Sequence, residues 1–235
     1  MIIQQTNKWV YIGPPKTGST SLHKYLISSP FFGSPVDCTS SLVDEKWQHE
    51  CRIPEMVDDS YTIFISCRNP YRRIVSLWLH CCNQSKNFLS PIVKSKHPLL
   101  PFPEFVDFVI DSSNKVKELP GMWDPQIKYT EPCKKKGYKY TRWKLEKIDE
   151  CIKESSNILR PLIDAPVVPT LNATRLLMDL RKHTFKWPDV YTSDLIKKVV
   201  RWAEEDFLEF EYSKEFMWAL PDTPVVEDPI ARVVQ

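Results

Sequence analysis

The chain has 235 residues, 42% hydrophobic and 26% charged, with 32 Lys and Arg nearly matched by 30 Asp and Glu for a net charge of +2. This composition excludes a disordered chain, has room for one α/β domain with an appended cap, and is too short for two full domains. So small a net charge gives no basis for nucleic-acid binding, and any positive field must be local.

The first predicted element is the run Lys8-Trp9-Val10-Tyr11-Ile12-Gly13, aromatic and β-branched residues stopping at a glycine. Pro14-Pro15-Lys16-Thr17-Gly18-Ser19-Thr20-Ser21 then leads into a helical pattern with Leu22, Tyr25 and Leu26 on one face. Strand, turn and helix in that order form an anion site, because first-turn amides lack helical partners and the helix dipole is positive there. Gly13 and Gly18 have the spacing of the pattern G-x-x-x-x-G-K-[ST], but Ser19 stands where that pattern has lysine, and the lysine lies inside the turn as Lys16.

Phe31 to Ser41 reads as irregular chain with a short strand near Val36, and Asp44 to Glu50 as a short polar helix carrying His49. The next strand, Tyr61 to Ser66, runs into Cys67-Arg68-Asn69-Pro70 and so ends in a cation, not in the acidic residue that a nucleoside triphosphatase uses to hold Mg²⁺. Asn69 is an N-cap and Pro70 a first helical residue for a helix over Tyr71 to Cys82. Its buried stripe is Ile74, Leu77, Trp78 and Cys81, which places Arg72, Arg73, Ser76 and His80 elsewhere around the cylinder.

Residues 83–142 are punctuated by seven prolines, with one short helical pattern at Glu104 to Ile110. Such a segment is expected to add little to a regular sheet and to form an insertion, or cap, over the active-site mouth. Trp123, Tyr129, Tyr138, Tyr140 and Trp143 offer faces to a sugar ring or staple this segment to the domain; the sequence leaves both open. Lys144 to Glu154 is amphipathic, strand-like runs follow at 157–163 and 167–168, and Ser193 to Glu205 is a last helix capped by Thr192 or Ser193. Residues 1–220 form the single domain and 221–235 a tail. The alternation of strand and helix predicts an α/β fold, a P-loop-like, mostly parallel sheet flanked by helices, with ligand at the carboxyl ends of its strands.

Pro15 to Ser21, followed about fifty residues later by Arg68-Asn69-Pro70-Tyr71-Arg72-Arg73-Ile74-Val75-Ser76-Leu77, resembles the two cofactor motifs of the sulfotransferases that use 3′-phosphoadenosine 5′-phosphosulfate (PAPS), most closely the carbohydrate-type branch. The resemblance implies that Pro15, Lys16, Thr17, Gly18, Ser19, Thr20 and Ser21 hold the 5′-phosphosulfate, and that Arg68 and Ser76, with Arg73 beside them, hold the 3′-phosphate. It further implies a late basic loop over the nucleotide, which Arg181 and Lys182 can supply, and a base between the two motifs, which is His49, with His80 as the alternative. The implied co-substrate is PAPS without a metal, and the implied partner a hydroxyl-bearing acceptor, a carbohydrate. A P-loop-type small-molecule kinase and a non-catalytic nucleotide-binding module are the competing readings.

Seven cysteines without a C-x-x-C pair suggest reduced thiols and no zinc site. With no apolar run of membrane-spanning length and no signal-peptide pattern, the expectation is a soluble, cytoplasmic chain.

Overall fold

The structure, a computed structural model, describes residues 1–5, 7–28, 38–40, 53–83, 100–113, 121–155 and 187–216. Its centre is a five-stranded sheet of β1 (Ile2–Gln4), β2 (Trp9–Ile12), β3 (Cys38–Ser40), β4 (Thr62–Cys67) and β5 (Tyr140–Lys144), in the spatial order β3-β1-β2-β4-β5. β1 runs against both of its neighbours, whereas β2, β4 and β5 are mutually parallel, with Ile12 opposite Ile65 and Cys67 opposite Lys144. The sheet is therefore mostly parallel, as the alternation of elements implies.

Helices are α1 (Ser19–Ser28), α2 (Pro70–Asn83), α3 (Phe102–Ser113), α4 (Glu131–Lys136), α5 (Ile148–Glu154), α6 (Ser193–Trp202) and α7 (Glu204–Glu209). Both faces of the sheet are covered, which is why β2 and β4 read as continuous apolar runs. Ile2, Trp9, Tyr11, Phe64 and Trp143 pack with Leu22, Tyr25 and Leu26 of α1 and Ile152 of α5 on one face. Ile3, Val10, Ile12, Ile63 and Ile65 pack with Ile53, Val57, Tyr129 and Cys133 on the other. A third cluster joins α2, α3, α6 and α7 through Tyr71, Leu77, Phe102, Val106, Leu195, Val199 and Phe207. Thr192 caps α6, its side chain accepting from the Leu195 N–H at 3.3 Å.

The proline-punctuated stretch forms its expected helix and departs from expectation at its end. Tyr140–Lys144 forms a full strand of the sheet, paired in parallel with β4. Its alternation is hidden because Thr141 is exposed and Arg142 half-buried on a strand where only Trp143 is fully buried. The helical pattern near Glu104 belongs to α3, whose Phe102, Phe105, Val106 and Val109 are buried in the third cluster. The aromatic residues of this stretch are used internally. Tyr129 and Trp143 are fully buried, Trp123 packs edge-on against Phe105 and Phe108, Tyr138 donates to the Val57 carbonyl at 2.6 Å, and Tyr140 to Glu209 at 2.6 Å.

The expected strand-like runs at 157–168 and the tail at 221–235 lie outside the described residues. Among the described residues no helix is long and apolar enough to cross a membrane, and Cys67 and Cys151 are free thiols.

Candidate active site

The parallel pairing of β2 with β4, with Ile12 opposite Ile65, brings the turn before α1 and the junction before α2 to the same, carboxyl end of two adjacent central strands. The turn passes through the left-handed region twice, at Lys16 (φ 66°) and at Gly18 (φ 77°). Such alternation gathers successive N–H groups into an anion-binding concavity. Side-chain-free approach is required on both sides of it: a Cβ on Gly18 would meet Leu145 Cδ1 at 2.4 Å, and one on Gly13 would meet Ser19 Cβ at 2.7 Å.

A buried chain of hydroxyls supports the turn from below. Thr17 Oγ1 donates to the Pro14 carbonyl at 2.7 Å and lies 2.7 Å from Ser66 Oγ, which lies 2.9 Å from the Tyr11 hydroxyl. With one proton per hydroxyl, the only consistent order runs from Tyr11 to Ser66 to Thr17 to Pro14. Thr17 is fully buried, so its hydroxyl is committed to the turn's shape; Pro15 is also buried, while Thr20 and Ser21 are half-buried at the start of α1.

Two cations flank the turn. Lys16 is half-buried, and desolvation, then the charge of Arg68, bring its ammonium pKa down to about 8. Arg68 donates through Nη1 to the Lys16 carbonyl at 3.3 Å, tying the second motif to the first. Burial also lowers the Arg68 pKa, with the nearby Glu146 opposing that shift.

The backbone of Arg68 is clasped by a residue that the sequence reading did not single out. Its N–H donates to Gln126 Oε1 at 2.8 Å and its carbonyl accepts from Gln126 Nε2 at 2.9 Å. Gln126 is in turn gripped by the Asp206 carboxylate, which accepts from the Gln126 N–H at 2.8 Å, from Gln126 Nε2 at 3.2 Å and from the Ile127 N–H at 2.6 Å. Asp206 sits in Glu204-Glu205-Asp206, a run that reads as a solvated face. Only its helical phase, three residues after buried Ala203 and four before buried Phe210, distinguishes it.

Arg73 is placed differently from the sequence expectation, being fully buried and not on an open face of α2. Its Nε donates to the Pro15 carbonyl at 3.0 Å and its Nη2 to the Met122 carbonyl at 3.2 Å; burial lowers its pKa, and the Asp206 charge opposes that shift. Nη1 of Arg73 has no hydrogen-bond partner among the described residues, leaving one buried donor behind the turn. Arg72, Ser76 and His80, four residues apart on α2, form a half-buried stripe. Asn69 caps α2 as expected, its Oδ1 accepting from the Tyr71 N–H at 3.0 Å, and its own N–H donates to Glu146 at 3.0 Å. Glu146 also accepts from the Tyr212 hydroxyl at 2.8 Å. His49, Arg181 and Lys182 lie outside the described residues. Among the described residues no group of three or more His, Cys, Asp or Glu side chains is placed to hold a metal ion.

A glycine-bounded turn at the start of a helix, with Lys16 and Arg68 beside it at the carboxyl ends of parallel strands, is the α/β arrangement in which first-turn amides can receive an anion. The sulfotransferase family model matches residues 1–213, and the chain belongs to that family. It is accordingly an enzyme of sulfuryl transfer acting on a hydroxyl acceptor. No curated protein and no solved structure matches it.

Proposed function

We propose that the protein transfers a sulfuryl group from PAPS to a hydroxyl of a carbohydrate acceptor. The observation that carries this reading is the hydrogen bond from Arg68 to the Lys16 carbonyl, which holds the cations of the two motifs beside one turn. The residues present fit such a donor: the backbone turns through two left-handed residues, Lys16 and Gly18, just before α1, and Arg73 keeps a buried donor behind that turn. In this reading Lys16 and the amides of Gly18 to Thr20 meet the 5′-phosphosulfate, and Arg68 and Ser76 the 3′-phosphate. The bond from the acceptor oxygen to sulfur forms as the bond from sulfur to the phosphate oxygen breaks. Negative charge then grows on the leaving phosphate, where Lys16 and the turn amides stabilise it more than in the ground state.

The acceptor's proton passes to a base, assigned to His49 with His80 on the α2 stripe as the alternative. Retained nucleotide affinity with lost turnover in His49→Ala but not in His80→Ala would separate them. The carbohydrate assignment rests on the family resemblance, because the aromatic residues near the insertion are committed to internal contacts.

The test is calorimetric titration with adenosine 3′,5′-bisphosphate in EDTA, beside ATP with Mg²⁺. The bisphosphate should bind without metal, and Arg68→Ala should weaken it by about 2–5 kcal/mol, as for a desolvated charge pair losing one partner. Preference for the magnesium nucleotide would replace this reading with that of a kinase.

A further inference from the structure

We propose that Gln126 is a positioning residue for the nucleotide's 3′-phosphate, acting through the main chain of Arg68 and itself locked by the buried Asp206 carboxylate. The inference rests on the assignment of Arg68 to that phosphate. β4 ends at Cys67 and α2 begins at Pro70, so neither a ladder nor a helix fixes the peptide groups on the two sides of Arg68. Gln126 takes over that task with both ends of one amide, accepting from the Arg68 N–H and donating to the Arg68 carbonyl. The two bonds engage the peptide before and the peptide after the Arg68 Cα. Together they set its φ and ψ, and hence the direction in which the guanidinium leaves the chain.

A side-chain amide can be rotated by half a turn, which would set oxygen against carbonyl and nitrogen against N–H. Asp206 removes that freedom, since its Oδ2 accepts the second Nε2 proton as well as the Gln126 N–H. The carboxylate thus fixes the main chain and the side chain of Gln126 together. Its other oxygen takes the Ile127 N–H, so the short turn beginning at Gln126 is anchored from α7. Gln126 and Asp206 are both fully buried and contact neither Lys16 nor the turn in the bonds above. The influence of Gln126 on the anion site runs through Arg68, whereas the Asp206 charge also faces Arg73, which holds the Pro15 carbonyl, so the test is placed on Gln126.

The distinguishing ligand pair is adenosine 3′,5′-bisphosphate and adenosine 5′-monophosphate, which differ by the 3′-phosphate alone. Calorimetry on the full chain compares wild type, Gln126→Met, Arg68→Ala and the double variant. Gln126→Met keeps the side-chain length and removes both polar atoms. It should lower bisphosphate affinity at least tenfold, leave the monophosphate within about twofold, and have no further effect once Arg68 is alanine, because contacts acting through one group do not add. Equal losses for both ligands, unchanged bisphosphate affinity, or full additivity with Arg68→Ala would reduce Gln126 to support of the fold and overturn the proposal.

If Gln126→Met does not fold, Gln126→Glu supplies the second test. It keeps the acceptor for the Arg68 N–H but sets an oxygen against the Arg68 carbonyl and Asp206, and the single proton of a neutral carboxyl relieves one of those two contacts. Bisphosphate affinity relative to wild type should then recover as pH is lowered from 8 to 6. A flat ratio across that range overturns the proposal equally. A wild-type protein that binds the two ligands alike removes the assignment of Arg68 itself, which is the separate failure of the reading beneath this one.

Discussion

Lys16 is held between desolvation and the neighbouring Arg68 cation, both of which disfavour its charge. With its pKa near 8, roughly half of the free protein carries a neutral lysine at that pH. A bound dianion favours the charged form, so binding above pH 8 should take up a proton. Affinity for adenosine 3′,5′-bisphosphate should hold constant below about pH 7 and fall above 8, approaching tenfold per pH unit toward the ordinary lysine range. Stability should move the opposite way. The folded pKa lies below the unfolded one, so the unfolded chain binds more protons between them and stability rises with pH across that window. Titration in two buffers of different ionisation enthalpy measures the uptake; zero uptake at pH 8.5 with a flat affinity profile would mean that Lys16 does not meet the anion. Lys16 and Arg68 could be singled out from sequence because each sits in a short motif beside its strand. Gln126 and Asp206 could not, because what makes them important is burial against a main chain 58 and 80 residues away.

The turn after β5 is as much a wall of the site as the turn before α1, and Leu145 shows why. Gly18 at φ 77° has Leu145 Cδ1 where its own Cβ would project. Gly18→Ala therefore carries two penalties: about 1–2 kcal/mol for a left-handed Cβ residue, and about 1–3 kcal/mol for overpacking. The obstacle is the end of a flexible side chain, so Leu145→Ala in the same chain should recover the overpacking part relative to Leu145→Ala alone and leave the backbone part. Urea denaturation of the four proteins measures this, and purely additive losses would show that the contact does not govern the site. The same physical logic separates the elements that could be read from those that could not. β2 and β4 are buried on both faces and announce themselves as apolar runs; α2 and α6 carry Asn69 and Thr192 as caps that bond as expected. β1 and β3 have three residues each and gain their identity from pairing. β5 is hidden because prolines punctuate the chain before it, whereas Tyr140–Lys144 itself contains none.

At the scale of the molecule, the proposed anion site is assembled from segments far apart in sequence: the turn after β2, the junction after β4, the stretch at Gln126, the turn at Leu145 and helix α7. The two motifs and the parallel sheet between them were readable because a strand followed by an anion turn is a local pattern. The coupling of those motifs to α7 was not, since no local pattern encodes which distant carboxylate will meet which amide. A site built this way is completed only by the fold, so a ligand that binds it should stabilise the whole chain and not one loop. At a concentration 100 times its dissociation constant, adenosine 3′,5′-bisphosphate should add about 2.7 kcal/mol. For a chain of this size that corresponds to a rise in Tm of about 5–11 °C. Thermal melting in EDTA measures it, with Arg68→Ala melted at the same ligand concentration. Arg68→Ala should show at most about a third of the shift, because a loss of about 2–5 kcal/mol leaves the ligand at no more than about three times the variant's dissociation constant. A shift of equal size in both proteins would place the binding elsewhere on the surface and break the link drawn between Arg68, Lys16 and the nucleotide.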